Sequence, residues 1–274
     1  MTLIPWLTAT TNLGLPVMLA AMGGLVCEKS GTAALFLEGT MLTASFIAVR
    51  AGGGVKGLAC GLAAGVLITG THYLLVHRAK VKDVISGVGL NMLALSATSF
   101  YERISPSAES VQTLSTQTGA LIAATCIAAL VTGYKSTKIR VQLEMTGESA
   151  LQAQIFGINI SRVRLISHLV AGGLAGLGGA LLPLMGIGTF VGNMTNGRGY
   201  LALAAIVFGR WDLGMVIAAS LGFAALDALQ LVAAAQGIKV DADVLAMLPY
   251  VAGLAALIVR TNRNTAPAEL SKAG

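Results

Sequence analysis

Charge is what this sequence has least of. Only 11% of its 274 residues are Asp, Glu, Lys or Arg, against about 25% in an average soluble domain. A water-facing surface cannot be covered with so few. Aromatic residues are also sparse, at 5%, while 55% of the chain is hydrophobic. Cysteine is scarcer still: Cys27, Cys60 and Cys126 stand singly in apolar runs. They make neither a metal spacing nor a disulfide framework, and read as small packing residues. Three histidines are present with no zinc-ligand spacing, and no Ser/His/Asp set follows from spacing. A phosphate-binding loop is missing as well, because "TGYKST", Thr132 to Thr137, has Tyr134 where that motif needs glycine. These absences point away from an enzyme and from any metal or cofactor. The opening "MTLIPWLTATTN" carries no basic stretch, so a cleaved signal peptide is not expected.

What is present is a series of long apolar runs. Expected membrane segments are Leu13–Cys27, Leu35–Val49, Ala51–Val76, Val84–Phe100, Gly119–Tyr134, Leu165–Gly186, Leu201–Gly209, Leu213–Ala235 and Val244–Val259. The runs are continuous rather than alternating, which disfavours a β-barrel. The fold class is therefore all-α: a polytopic transmembrane helix bundle with about 8–10 segments, some of them broken. Polar interludes are short, so residues 1–274 read as one membrane domain, with 135–164 as its main cytoplasmic loop.

The net charge of +6 is explained by orientation. Lys29, Arg78, Lys80, Lys82, Lys135, Lys138, Arg140, Arg162, Arg164, Arg210, Arg260, Arg263 and Lys272 fall on one side of this topology, and Arg50, Lys56, Arg103, Arg198 and Lys239 on the other. The positive-inside rule makes the first set cytoplasmic. Nucleic-acid binding has no support.

That alternation requires a crossing between Gly186 and Arg210. Leu201–Gly209 is too short to make it alone: nine residues rise roughly 14 Å against a hydrocarbon core of about 30 Å. The upstream "GIGTFVGNMTNG" must supply the rest as non-helical backbone, tolerated at depth only when buried in protein or lining a watery cavity. A half-helix beside unwound chain is a pointer to a transport site. The Gly-rich, Arg-bearing stretch from Val191 to Asp212 is thus read as a broken crossing and not as a phosphate cradle.

Glycine is abundant, with 34 residues. Gly53, Gly57, Gly61 and Gly65 recur every fourth residue, as do Gly172 and Gly176, with Ala175 and Gly179 extending the pattern. Such spacing lets helices approach closely, as static packing or as a sliding surface. Polar residues interrupt the apolar runs at Glu38, Asn91, His168, Asp227 and Gln230. An ionised carboxylate at mid-membrane costs about 2.5–3.5 kcal/mol on insertion scales, so it faces protein or water. Asp227 and Gln230, three apart, share a helix face. These groups either satisfy opened backbone and bond across helices, or line a polar path. Asn91 and His168 fit the first role, and so does Glu38 within "LFLEGTML"; Asp227 fits both.

The largest polar loop contains "GESALQAQIFG", expected to form a short helix from near Thr146 to a stop at Gly157. With little basic character it suits docking onto a cytoplasmic partner better than lying on lipid. At this point a family pattern emerges. "TGE", "GIN", "RVR" and "GGLAGLGGALL", then "NMTNGRGYLALAAIVFGRWD" and "DALQ", preceded by "LEGTML" and "DVISGVGLNMLAL", resemble permease subunits of bacterial ABC importers. The resemblance, from about Leu13 to Gln230, is to the sugar/nucleoside branch, and within it to permeases served by basic-membrane-protein-type lipoproteins.

The resemblance implies a nucleoside permease in the bacterial cytoplasmic (inner) membrane. Its partners would be a cytoplasmic ATP-binding subunit, a homologous second permease, an extracytoplasmic substrate-binding lipoprotein and membrane lipid. Gly147 and Glu148 would begin the coupling helix. Glu38, Asn91, Asn193, Asn196, Arg198, Asp227 and Gln230 are the candidate substrate-path residues. Two departures stand out: Ala34, Leu35 and Phe36 replace the Asn-Ile-Gly common before "LEG", and Ala150 replaces a common proline. The alternatives are a simple-sugar permease and an ion-coupled secondary transporter using Asp227 and Glu38. A plain membrane anchor does not fit the polar and broken segments.

Overall fold

The computed structural model describes residues 3–106, 110–235, 247–248, 251 and 266–272. Among these it has ten α-helices and no strand: α1 (Leu3–Lys29), α2 (Leu37–Arg50), α3 (Gly54–His77), α4 (Asp83–Ile104), α5 (Thr116–Lys135), α6 (Thr137–Glu148), α7 (Ala150–Ile155), α8 (Ile160–Leu184), α9 (Arg198–Phe208) and α10 (Leu213–Ala235). A 3-10 turn follows at Ala268–Lys272. Trp6–Lys29, α3, α4, α5 and α8 are each long and apolar enough to cross a bilayer, and the chain is a multi-pass membrane protein.

The expected segments are found with shifted ends. The residues before Leu13 lengthen α1 to Leu3. The helix α6 was not foreseen, because its window mixes charge with isolated apolar residues and shows no long apolar run. Gln230 lies in α10, but its side chain is outside the described residues, as is the segment Val244–Val259 apart from residues 247–248 and 251.

Packing is organised around α1 and α8, whose Leu19, Met22, Leu25, Leu181 and Leu184 are fully buried. The helix α1 packs on α8, α10 and α9, while α8 packs on α1, α3 and α2. Exchanging α1, α2 and α3 for α8, α9 and α10 maps this pattern onto itself. With the sides expected from charge the two sets would run in opposite directions, the arrangement of an inverted repeat. The helices α4 and α5 lie outside it, with α4 against α2 and α3, and α5 against α1, α6 and α8.

Ion pairs join residues that the charge pattern assigns to one side: Lys29 meets Glu144 at 3.6 Å, Arg164 meets Glu269 at 3.5 Å, and Arg50 meets Glu102 at 3.5 Å. The outer loop after α4 also stitches the repeat together. Gln112 accepts from Gly54 N–H, and Val111 N–H donates to Gly188 C=O.

Glycine sets the closest contacts. A methyl at Gly61 would lie 2.6 Å from the Ala180 Cβ, and one at Gly176 2.6 Å from the Gly61 carbonyl oxygen. One at Gly65 would overlap the Gly172 backbone. The α3–α8 interface is thus backbone on backbone, as small residues permit where lipid offers no hydrophobic drive. Gly53 departs from the expected groove: it precedes α3 with φ +72° and faces Val111 and Gln112.

Gly65→Ala should lower the melting temperature in detergent by about 2–10 °C, since overpacking costs about 1–3 kcal/mol. Gly70→Ala is the control, because its methyl would have only Leu169 at 3.9 Å. Equal melting of the two variants would refute the backbone contact.

Candidate functional site

Two crossings are broken. Between α1 and α2, residues 30–36 are non-helical, with Ser30, Thr32, Ala34 and Phe36 buried. Between α8 and α9, residues 185–197 form successive turns in which Gly188, Asn193, Asn196 and Gly197 have φ of +71°, +56°, +43° and +80°. The half-helix α9 then runs 11 residues, a rise of roughly 16 Å. Its first N–H groups have no partner within the helix and need acceptors from elsewhere in the protein.

Glu38 satisfies them. One carboxylate oxygen accepts from Thr195 Oγ1 at 2.6 Å and Gly197 N–H at 3.0 Å, and the other from Gly199 N–H at 2.6 Å. The carboxylate is buried, at 7% exposure, and sits at the positive end of the α9 dipole. Three charge-assisted bonds, each worth roughly 1.5–3 kcal/mol, outweigh the membrane penalty of about 3 kcal/mol for an acid. Glycine at 199 is required, because a methyl there would overlap the Glu38 backbone.

Asn91 does the same for the other break. Its Oδ1 accepts from Gly39 N–H at 2.8 Å in the first turn of α2, and its Nδ2 donates to Leu35 C=O at 2.7 Å and Tyr200 Oη at 3.1 Å. The two broken helices therefore meet start to start, each held by a side chain from a neighbouring helix. The structural roles expected for Glu38 and Asn91 match these contacts.

Of the remaining candidates, Arg198 and Asp227 are paired at the start of α9. Arg198 donates to Asp227 of α10 at 3.2 Å and to the Met194 carbonyl at 3.2 Å. Its Nε is buried without a partner among the described residues. Asn193 and Asn196 are exposed on the unwound stretch. Tyr200, a residue without a signal in the sequence, is 45% exposed in the first turn of α9. Gln230 lies three residues beyond Asp227 in α10.

Phe36, one of the two departures from the family pattern, is fully buried, its ring centroid 4.8 Å from His72 and 5.9 Å from His168. It is therefore a core residue. All three histidines gather here, His77 lying 5.9 Å from His168. Spacing in the chain could not reveal that cluster, because α3 and α8 are distant in sequence.

Just after the C-terminal end of α9, Arg210 and Trp211 adopt φ of +53° and +56°. This costly pair is pinned by Trp211 Nε1–H donating to Glu28 at 2.6 Å.

The short helix of the 135–164 loop begins later than expected. Thr146, Gly147 and Glu148 continue α6, and α7 starts only after Ser149, whose extended backbone and side chain cap it by accepting from Gln152 N–H at 3.3 Å. Gly147 and Glu148 thus end α6 and do not begin α7. Gly147 is buried against the Lys29 carbonyl, while Glu148 is exposed. Gly157, at φ +76°, stops the turn as expected. Glu144 anchors α6: burial raises its pKa, but hydrogen bonds from Arg140 and Tyr134 and the charge of Lys29 hold it below the ordinary value.

Glu38→Ala leaves three donors unpaired, at about 1–3 kcal/mol each. Folded yield and melting temperature should fall in the order Glu38, Glu38→Gln, Glu38→Ala, as read by size-exclusion chromatography and thermal unfolding. An alanine variant with wild-type melting would remove the carboxylate from its capping role.

Comparison with known proteins agrees with this architecture. The chain is similar to the guanosine ABC transporter permease protein of Bacillus subtilis strain 168, 27% identical over 94% of this chain and 92% of that protein. It is 26% identical to the nucleoside ABC transporter permease protein of Lactococcus lactis subsp. cremoris, over 92% of this chain and 90% of that protein. It is also 27% identical to a Haloferax volcanii permease protein provisionally named for a glucose ABC transporter, over 82% of this chain and 76% of that protein. No solved structure matches. The model of the family described as the permease component of branched-chain amino acid transport systems matches residues 7–254, nearly the whole membrane domain, and the chain belongs to that family.

Proposed function

We propose that this chain is the permease subunit of an ATP-driven nucleoside importer in a bacterial cytoplasmic membrane. It pairs with a homologous, non-identical permease. A substrate-binding lipoprotein delivers nucleoside from outside, and a cytoplasmic ATPase drives the alternation, so this subunit itself performs no catalysis. The observation that carries the reading is the convergence of polar residues on the starts of two broken helices. The full-length similarity to guanosine and nucleoside permeases supports the substrate class.

In this reading the exposed face of the break lines the path. Unwound backbone bearing exposed Asn193 and Asn196 cannot face hydrocarbon, so it faces water or the second permease. The asparagine amides offer hydrogen bonds to ribose hydroxyls and base edges. The Tyr200 ring offers a face for stacking a base, a contact worth about 1–3 kcal/mol. Asp227 fixes the Arg198 guanidinium beside the path. Binding here must be weak, because the same site has to release substrate inward, and direction comes from differential affinity of the two end states.

Coupling is assigned to the loop around α7. Leu151, Ile155 and Phe156 are 70%, 75% and 73% exposed, an apolar patch on a cytoplasmic loop that a partner would cover. Glu148 lies at its edge, and we place the ATPase against this patch.

Vesicles containing the complete importer should take up labelled guanosine only with ATP, and lose uptake when the partner's ATP site is destroyed. Uptake persisting on a proton gradient would establish the ion-coupled alternative instead. Asn196→Gly keeps the left-handed backbone but removes the amide, so uptake should fall at least tenfold at unchanged permease abundance; full activity would leave Asn196 a purely conformational residue. Ile155→Asp should abolish substrate-stimulated ATP hydrolysis while the permease still inserts. Unaltered stimulation would put the docking surface elsewhere.

A further inference from the structure

The last described segment, residues 266–272, returns to the cytoplasmic face and packs where three other segments meet. Their meeting point is Gly31, at φ +83°. A methyl there would lie 2.7 Å from the Glu269 Cβ, 3.3 Å from the Gly147 Cα and 3.4 Å from an Arg164 nitrogen. The Glu269 carboxylate pairs with Arg164 Nη2 at 3.5 Å, with the two side chains 14% and 19% exposed. Arg164 Nε donates at 3.2 Å to the Ser30 carbonyl, at the opening of the first break. Pro267 is buried, and its Cβ would be 3.2 Å from a methyl at Gly147.

This junction lies on the route between the two ends of the proposed mechanism. On one side Gly147 closes α6 immediately before α7. On the other, Gly31 is the second residue of the 30–36 stretch that leads to Glu38 and hence to the start of α9. We infer that residues 266–272 are a clasp binding the α6–α7 loop to the first broken crossing, with Glu269 as its positioning residue. Motion of the loop is then passed to the break, and not dissipated at the surface. The junction retains room to move, since a cavity of about 280 Å³ lies among Glu269, Arg164, Asp83 and Lys82. The inference rests on the coupling role given above to the α7 loop.

The test uses the complete importer in vesicles, with Glu269→Arg, Glu269→Asp and a chain ending at residue 265. Transport per ATP hydrolysed should fall at least fivefold in Glu269→Arg and in the shortened chain, with hydrolysis within twofold of wild type. Glu269→Asp should stay within twofold on both measures. Hydrogen exchange on the Glu269→Arg permease alone should show faster exchange at residues 146–157 and 30–36. Unchanged exchange there, or transport and hydrolysis falling in proportion at equal abundance, would overturn the clasp. Failure of the wild-type complex to import nucleoside with ATP would instead strike the functional reading, leaving the exchange result to decide the clasp.

Discussion

The structure depends on one acid placed where acids are expensive. Among the described residues Glu38 makes no ion pair; its counter-charge is the start of a helix. A helix beginning at mid-membrane exposes N–H groups that hydrocarbon cannot satisfy, and an ionised carboxylate there has the complementary defect. Each solves the other's problem, and neither would be stable alone. The bond also joins the two halves of the inverted repeat, because Glu38 belongs to α2 and the donors to the approach and first turn of α9.

The surrounding packing serves this point. Polar side chains at depth require the helices carrying them to be held closely, and the α3–α8 interface does so by bringing backbone onto backbone at Gly61, Gly65, Gly172 and Gly176. Ser45 adds a cross-link, its hydroxyl donating at 2.6 Å to the Gly179 carbonyl between α2 and α8. Rigid scaffold and opened backbone thus occupy adjacent layers.

Much of this was legible in the sequence, for identifiable reasons. Charge sidedness and helix rise together required a broken crossing before Leu201, since both are counting arguments independent of tertiary contacts. Glu38 could be assigned to opened backbone because a lone acid in an apolar run has few other fates. Residues 30–36 fall mostly in the gap between the expected segments Leu13–Cys27 and Leu35–Val49, but a short polar gap reads as an ordinary loop, and only the packing shows that Ser30, Thr32, Ala34 and Phe36 are buried. The histidine cluster and the Gly31 junction depend on long-range packing that spacing does not encode. The start of α7 was misplaced because Thr-Gly-Glu resembles a helix beginning as much as an ending, and only the Ser149 backbone distinguishes them. Asn193 and Asn196 are ambiguous for a similar reason: asparagine tolerates positive φ and is also a ligand-binding amide.

The inverted repeat has a mechanical consequence. Transporters are often pictured with an outer gate and an inner gate, opened in turn. Here the half-helices α2 and α9 begin at the same spot and are tied there by two side chains, Glu38 and Asn91. The starts of the two helices therefore form one knot, and a displacement of either start would be passed to the other.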